Sequence, residues 1–177
     1  MGIAYFFMKL CSLFVRDKKE FISGFFRRQG MNIGNNCNIC CDISTTEPYL
    51  ITLGNNVTVA GNVTFVTHDN SISKVEPNAT DLMGRIVVGD NCFLGNRSII
   101  LYGVSLADNI IVAAGAVVTK SFYEGNVIIA GNPAKVISTI DSFRDRCSGR
   151  SFNLDDLRAR NVDIRKVVEQ SDKLIQR

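Results

Sequence analysis

An aliphatic residue recurs every six positions through the middle of the chain, at Val88, Leu94, Ile100, Leu106, Val112 and Val118. A helical face repeats near 3.6 residues and a two-faced strand at 2, so neither element alone accounts for the spacing. A period of six means a short strand, a turn and another short strand, stacked so that one position always points inward. A second inward register follows four residues later, through Cys92, Ser98, Val104, Ile110, Ala116 and Phe122. Small residues often follow the aliphatic ones, as at Gly89, Gly95, Ala107 and Ala113. This is the pattern of a parallel β-helix.

The register continues upstream through Ile33 with Cys37, Ile39 with Ile43, Leu53 with Val57, Val59 with Val63, and Phe65. It breaks twice. From Ile39 to Leu53 the chain carries two residues more than whole units allow, which places a bulge at residues 45–49. Residues 69–87 lose the pattern altogether; they are polar, contain Pro77 and Gly84, and read as a loop leaving the wall. Long loops in compact folds are usually functional or disordered. This one follows His68, the single histidine of the chain.

A chain of 177 residues with 46% hydrophobic content forms one domain with a sizeable core. A net charge of +3 is too small to imply nucleic acid, and no aromatic-plus-basic stacking motif accompanies it, so no nucleic-acid partner is expected. The apolar start carries Lys9 in its middle and no small-residue cleavage site, so it is not an export signal. Position 6 is Phe6, which excludes the myristoylation pattern beginning at Met1-Gly2. Six cysteines without an export signal fit reduced thiols in the cytoplasm. Cys37, Cys40 and Cys41 lie close together, but Cys37 is on the inward register and no second pair follows at zinc-ligand spacing, so packing is the expectation and no metal is.

The ends read differently. Ile3, Phe6, Phe7, Leu10 and Phe14 fall at helical spacing, as do Phe21, Ile22, Phe25 and Phe26, with Lys18, Lys19, Arg27 and Arg28 nearby. Segment 1–30 is expected to be helical. Its amphipathic, basic character admits peripheral contact of residues 1–28 with an anionic membrane surface. The competing reading is a cover for the open end of the β-helix, or packing on a neighbouring subunit. Segment 138–177 is expected to be a helical extension, with a helix over residues 154–175.

Three pieces of sequence carry a family resemblance: the ladder itself, Gly61-Asn-Val-Thr-Phe-Val-Thr-His68-Asp69, and Gly115-Ala-Val-Val-Thr119-Lys120 followed by Gly131-Asn-Pro133-Ala-Lys135-Val-Ile137. Together they resemble the hexapeptide-repeat acetyltransferases, notably the galactoside, maltose and capsular-polysaccharide O-acetyltransferases. The run Glu47-Pro48-Tyr49-Leu50-Ile51 resembles the polysaccharide branch. The resemblance spans residues 31–137. It implies a left-handed parallel β-helix of about five coils, assembled as a homotrimer with active sites between subunits. It further implies acetyl-CoA as co-substrate and a sugar-type or glycan acceptor.

Acetyl transfer to a hydroxyl needs a base that can also return the proton, and a histidine near neutral pKa serves as both. The resemblance assigns that role to His68, and its place where the loop departs puts it in a groove. The imidazole then needs a partner on its other nitrogen: Asp69, another carboxylate or a backbone carbonyl. Matching the family places coenzyme contacts at Asn96, Ala114, Thr119, Lys120 and Lys135. The acceptor-binding Asn of the galactoside enzymes is replaced here by Cys40. A non-catalytic trimeric scaffold, and a serine, streptogramin or amino-sugar acetyltransferase, are the alternatives. The carbonic anhydrases of similar fold need three histidine ligands and are excluded by one.

Overall fold

The computed structural model describes residues 2–175; Met1, and with it the first position of the excluded myristoylation pattern, lies outside them, as do residues 176–177 of the C-terminal segment. Among the described residues fifteen short strands are numbered in chain order. The first sheet holds β1 (Asn32–Ile33), β3 (Ile51–Leu53), β8 (Ile86–Val88) and β11 (Ser105–Leu106). The second holds β2 (Asn38–Ile39), β4 (Thr58–Val59), β9 (Phe93–Leu94), β12 (Ile110–Val112), β14 (Val127–Gly131) and β15 (Ala134–Thr139). The third holds β5 (Thr64–Val66), β10 (Ile99–Leu101) and β13 (Val117–Val118). The chain visits the sheets in rotation, and the second sheet carries five parallel rungs before β15.

Register follows from the sequence period. Phe93 pairs with Ile111 and Ile99 with Val117, eighteen residues on, as three six-residue units require. Asn38 pairs with Thr58, twenty residues on, which absorbs the bulge at 45–49. Thr64 pairs with Ile99, thirty-five residues on, which absorbs the long loop. Both expected inward registers are buried: Val88, Leu94, Ile100, Leu106, Val112 and Val118, and Cys92, Ser98, Val104, Ile110, Ala116 and Phe122. Each fully buried Val, Leu or Ile contributes about 1.5–3 kcal/mol, and this column is the core.

The loop is shorter than the lost pattern suggested. Asp69 belongs to β6 (His68–Asp69), which pairs antiparallel with β7 (Leu82–Met83), and Ile86 is a fully buried residue of β8. The excursion is therefore 70–85, not 69–87. Ile86 sits one step upstream of Cys92 on the second inward register, so the signal was present in the sequence.

Three edges join the sheets. At the first edge, between first and second sheets, the turns place Asn36, Asn56, Asn91, Asn109 and Asn126 at φ from 55° to 60°. Asparagine tolerates this left-handed conformation because its short amide bonds locally, which explains its recurrence at one position of every turn. Rungs approach so closely here that a Cβ on Gly54 would lie 2.8 Å from the carbonyl carbon of Gly89.

Both ends of the stack are covered. Helix α1 (Ile3–Ser12) precedes α2 (Lys18–Arg28), whose Asp17 cap accepts from the Glu20 N–H at 3.0 Å. The α2 residue Phe26 is fully buried, and the Arg27 guanidinium donates to the carbonyls of Ile33 (2.7 Å) and Gly34 (2.6 Å) beyond the first rung. Polar groups that a missing strand would have paired are thereby satisfied. At the far end β15 turns back antiparallel along β14, so the final strand departs from the all-parallel expectation and runs to Thr139.

A second compact unit begins at Asp141. The single helix expected over 154–175 is instead α4 (Leu154–Ala159) and α5 (Ile164–Glu169), preceded by α3 (Ile140–Cys147). Asn161, at φ 52°, ends one helix, and the Asp163 side chain caps the next by accepting from the Lys166 N–H at 3.3 Å. Local capping overrides the apolar spacing.

Candidate active site

His68 stands at the third edge, where the chain leaves the third sheet and begins its excursion. Its side chain is 42% exposed. The Nδ1 atom lies 2.8 Å from Oε2 of Glu47, a carboxylate on the rung below whose side chain is only 10% exposed. Glu47 enters from the other break in the period, just before the single-turn helix Pro48–Leu50. The two irregular segments of the wall therefore meet at one imidazole.

The surrounding hydroxyls form a closed and directional set. The Glu47 N–H donates to Thr45 Oγ1 (3.2 Å), Thr45 Oγ1 contacts Thr67 Oγ1 (2.7 Å), and Thr67 donates to Glu47 Oε2 (2.7 Å). Thr46 donates to Oε1 of the same carboxylate. Thr67 spends its proton on Glu47, so Thr45 must donate to Thr67. Hydrogen bonds from Thr46, then Thr67 and His68, hold the Glu47 carboxyl down to about 2. An ionised carboxylate only accepts, so Nδ1 of His68 carries the proton and Nε2 keeps its lone pair. The Glu47 hydrogen bond and charge raise the imidazole pKa above its ordinary value. The arrangement can hold an imidazole in one tautomer with Nε2 able to accept a proton.

Asp69, the adjacent candidate for that orienting role, faces elsewhere. It accepts from the Ser71 N–H at 2.8 Å and from the Tyr102 hydroxyl at 3.2 Å, bracing the start of the excursion. The sequence supplied one usable signal for Glu47, a carboxylate inside the other break of the ladder. Thr45, Thr67 and Tyr102 gave none.

The other sequence-derived residues divide between two edges. Thr119 and Lys120 follow β13 at the third edge, two rungs above His68, since Phe65, Ile100 and Val118 are successive neighbours. Lys120 Nζ lies 5.7 Å from the Phe122 ring centroid. Asn96 and Ala114 lie at the second edge, where with Gly61, Asn62, Arg97 and Gly115 they line an open cavity of about 530 Å³. The Asn96 Oδ1 accepts from the Gly61 N–H at 2.7 Å. Lys135 is exposed on β15, opposite Ala130. Cys40 is exposed and lines a separate cavity of about 420 Å³ with Tyr5, Asp42 and Phe65. Within one chain, then, the imidazole and the two larger cavities lie on different edges.

The inward cysteines are packing groups. Cys92 Sγ accepts the Ile110 N–H at 3.4 Å, and burial pushes its thiol up to about 11. All six cysteines are free thiols. Among the described residues no three His, Cys, Asp or Glu side chains converge as a metal-binding group.

Parallel rungs eighteen residues apart, a histidine at a broken edge and the Gly-Asn-Pro-Ala-Lys ending define a hexapeptide-repeat protein, and residues 85–120 match the family described as the hexapeptide repeat of succinyl-transferase. The chain belongs to the hexapeptide-repeat acetyltransferase family. It is 42% identical to protein CapG of Staphylococcus aureus over 126 residues, covering 68% of this chain and 72% of CapG. It is 33% identical to the galactoside O-acetyltransferase of Escherichia coli strain K12 over 117 residues, covering 66% of this chain and 57% of that enzyme. The solved structure of a galactoside acetyltransferase in complex with coenzyme A shares the fold, at a TM-score of 0.53 and 20% identity over 82% of this chain and 86% of that one.

Proposed function

We propose that this protein transfers an acetyl group from acetyl-CoA to a hydroxyl of a sugar or polysaccharide precursor in the cytoplasm. The observation that carries the reading is the 2.8 Å bond from His68 Nδ1 to Glu47, which leaves Nε2 as a lone-pair acceptor. In this reading Nε2 takes the acceptor's hydroxyl proton as oxygen attacks the thioester carbon, and the imidazolium returns that proton to the departing thiolate. Glu47 compensates the positive charge that His68 carries in between. No covalent enzyme intermediate is needed.

Acetyl-CoA is supported by the family and by the coenzyme A that the solved galactoside acetyltransferase holds. The chemistry of the candidate residues fits it: Lys120 and Lys135 suit phosphate groups, and Ala114 with Gly115 lets a slender chain approach backbone groups. The wall is read as a left-handed β-helix and the assembly as a homotrimer. The third edge of one copy, with His68, Thr119 and Lys120, would face the second edge of the next, with Asn96, Ala114 and Lys135. That pairing would unite residues which one chain keeps apart. Residues 1–30 and 138–177 are read as flanking segments of the catalytic region 31–137.

The test is thiol release from acetyl-CoA with a panel of sugars, nucleotide-sugars and serine. Turnover on a sugar hydroxyl that His68→Ala abolishes supports the proposal. Turnover that survives this change sinks the mechanism, and coenzyme binding without turnover on any hydroxyl makes the protein a scaffold.

A further inference from the structure

Helix α1 is packed with its more apolar side outward. Tyr5, Met8 and Ser12 form its buried stripe, whereas Ile3, Phe6, Phe7 and Leu10 are exposed on the opposite stripe, continued by Leu13 and Phe14 just beyond the helix. Phe14 is 88% exposed and Ile3 78%. The helix cannot readily turn this face inward. Its inner side is pinned by the Tyr5 ring 6.0 Å from the ring of buried Phe26, and its start by the Gly2 N–H donating to Asp42 at 2.8 Å. Capping of the first rung is performed by α2, through Phe26 and Arg27, so the outer stripe of α1 serves no purpose within the chain. Soluble proteins rarely leave so contiguous an apolar surface uncovered unless it meets a partner or a membrane.

Charge identifies the occupant. Lys9 sits at the border of the apolar stripe, and Arg16, Lys18 and Lys19 follow it directly. The first thirty residues carry six basic and two acidic side chains, a net +4, so the other 147 carry a net −1. A second copy of α1 would bring like charges together. An anionic headgroup layer would accept both the cations and the phenylalanines beneath them. Ten helical residues span about 15 Å, half of a bilayer's hydrocarbon thickness, and no helix among the described residues is long and apolar enough to cross a membrane. We propose that α1 docks this protein, lying flat, on the surface of an anionic phospholipid bilayer through Ile3, Phe6, Phe7, Leu10 and Phe14, with Lys9, Arg16, Lys18 and Lys19 against the headgroups. This goes beyond the acetyltransferase reading and does not depend on it.

Flotation of the full chain with phosphatidylcholine vesicles, with and without phosphatidylglycerol, tests the proposal. Binding is expected to the phosphatidylglycerol vesicles, falling at high salt. Phe7→Asp with Phe14→Asp should reduce it to background. Lys18→Gln with Lys19→Gln should weaken it by about fivefold for each charge removed. Phe7 and Phe14 are already exposed, so circular dichroism of the first variant should match the parent. Light scattering supplies the competing outcome. If the parent fails to float with anionic vesicles, or if the Asp variant floats equally well, the proposal is overturned. It is equally overturned if the parent does not float and the Asp variant breaks a parent oligomer, which would make the stripe a contact between copies.

Discussion

The first and third edges of the stack turn the chain through the same corner with opposite use of polar groups. At the first edge the groups are spent on one another. Asn35 N–H donates to Asn55 (2.9 Å), Asn55 N–H to Asp90 (2.7 Å) and Asp90 N–H to Asp108 (2.7 Å), while Asn56 Nδ2 donates to Asn91 (2.9 Å). Each rung thus locks the next. At the third edge two insertions interrupt the stack, and Thr46, Thr67 and His68 converge on the one carboxylate of Glu47. A ladder that satisfies every group leaves nothing for a substrate. A cluster that concentrates its donors on one partner leaves one nitrogen unspent. The regular edge holds the molecule together, and the interrupted edge carries the candidate base.

The widest separation between the two edges should come from His68→Ala. In the proposed mechanism this removes the general base, a loss of about 10²–10⁴-fold in kcat, and thermal unfolding should confirm that the stack is intact. Its counterpart at the first edge is Gly54→Val, where the new Cβ meets Gly89 backbone at 2.8 Å. Backbone cannot rotate away, so a stability loss of about 1–3 kcal/mol is expected in a denaturant melt, with the chemistry of surviving folded protein unchanged.

Glu47→Gln sharpens the comparison through pH. In the proposed mechanism His68 must be neutral to accept a proton, so kcat/KM should rise with pH through the raised imidazole pKa and then level off. Removing the carboxylate charge lowers that pKa, so the midpoint should move to lower pH, with a fall in kcat of roughly tenfold, short of that in His68→Ala. An unmoved midpoint would mean that Glu47 does not govern the imidazole. Stability carries the same signature. The His68 share is complete below the ordinary imidazole pKa and is lost as pH rises through the raised value. The Glu47 share is complete above the ordinary carboxylate range and is lost as pH falls towards about 2.

The smallest effect belongs to Asn56→Ala. It loses the amide bonds to neighbouring rungs and places alanine at φ 55°, for about 1–2 kcal/mol in unfolding free energy. Asn56→Gly should recover part of that loss, because glycine accepts the backbone angle. Equal losses in both variants would assign the whole effect to the side-chain bonds.

The stack was legible because its rule is local and repeated: Val88 through Val118 announce their own spacing, and every one is buried. The candidate site was legible only in part. His68 could be singled out, being the one histidine and standing at a break. Its partner was signalled only as a carboxylate inside the other break, because Glu47 is twenty-one residues away in a segment that obeys no period, and its approach depends on how the bulge folds. Ile86 falls inside the expected loop for a related reason, since a strand entering a rung after an excursion announces itself by a single residue. The C-terminal segment failed in the opposite direction. Its apolar spacing suggested one helix, and the turn at Asn161 with the cap at Asp163 divided it.

Because rungs repeat at about 4.8 Å, distances along this wall are quantised. Phe65, Ile100 and Val118 are stacked neighbours, so His68 and Lys120, which follow the outer two, stand two steps apart, about 10 Å. Ile100 and Val118 are equivalent positions, and excising residues 100–117 would join Ile99 to Val118 without disturbing any inward register. The lysine would then come one whole step nearer the imidazole, with no intermediate spacing available. A lineage built on such a stack can lengthen or shorten the reach between its imidazole and its distant lysine only in whole rungs, while the excursions at the third edge vary freely.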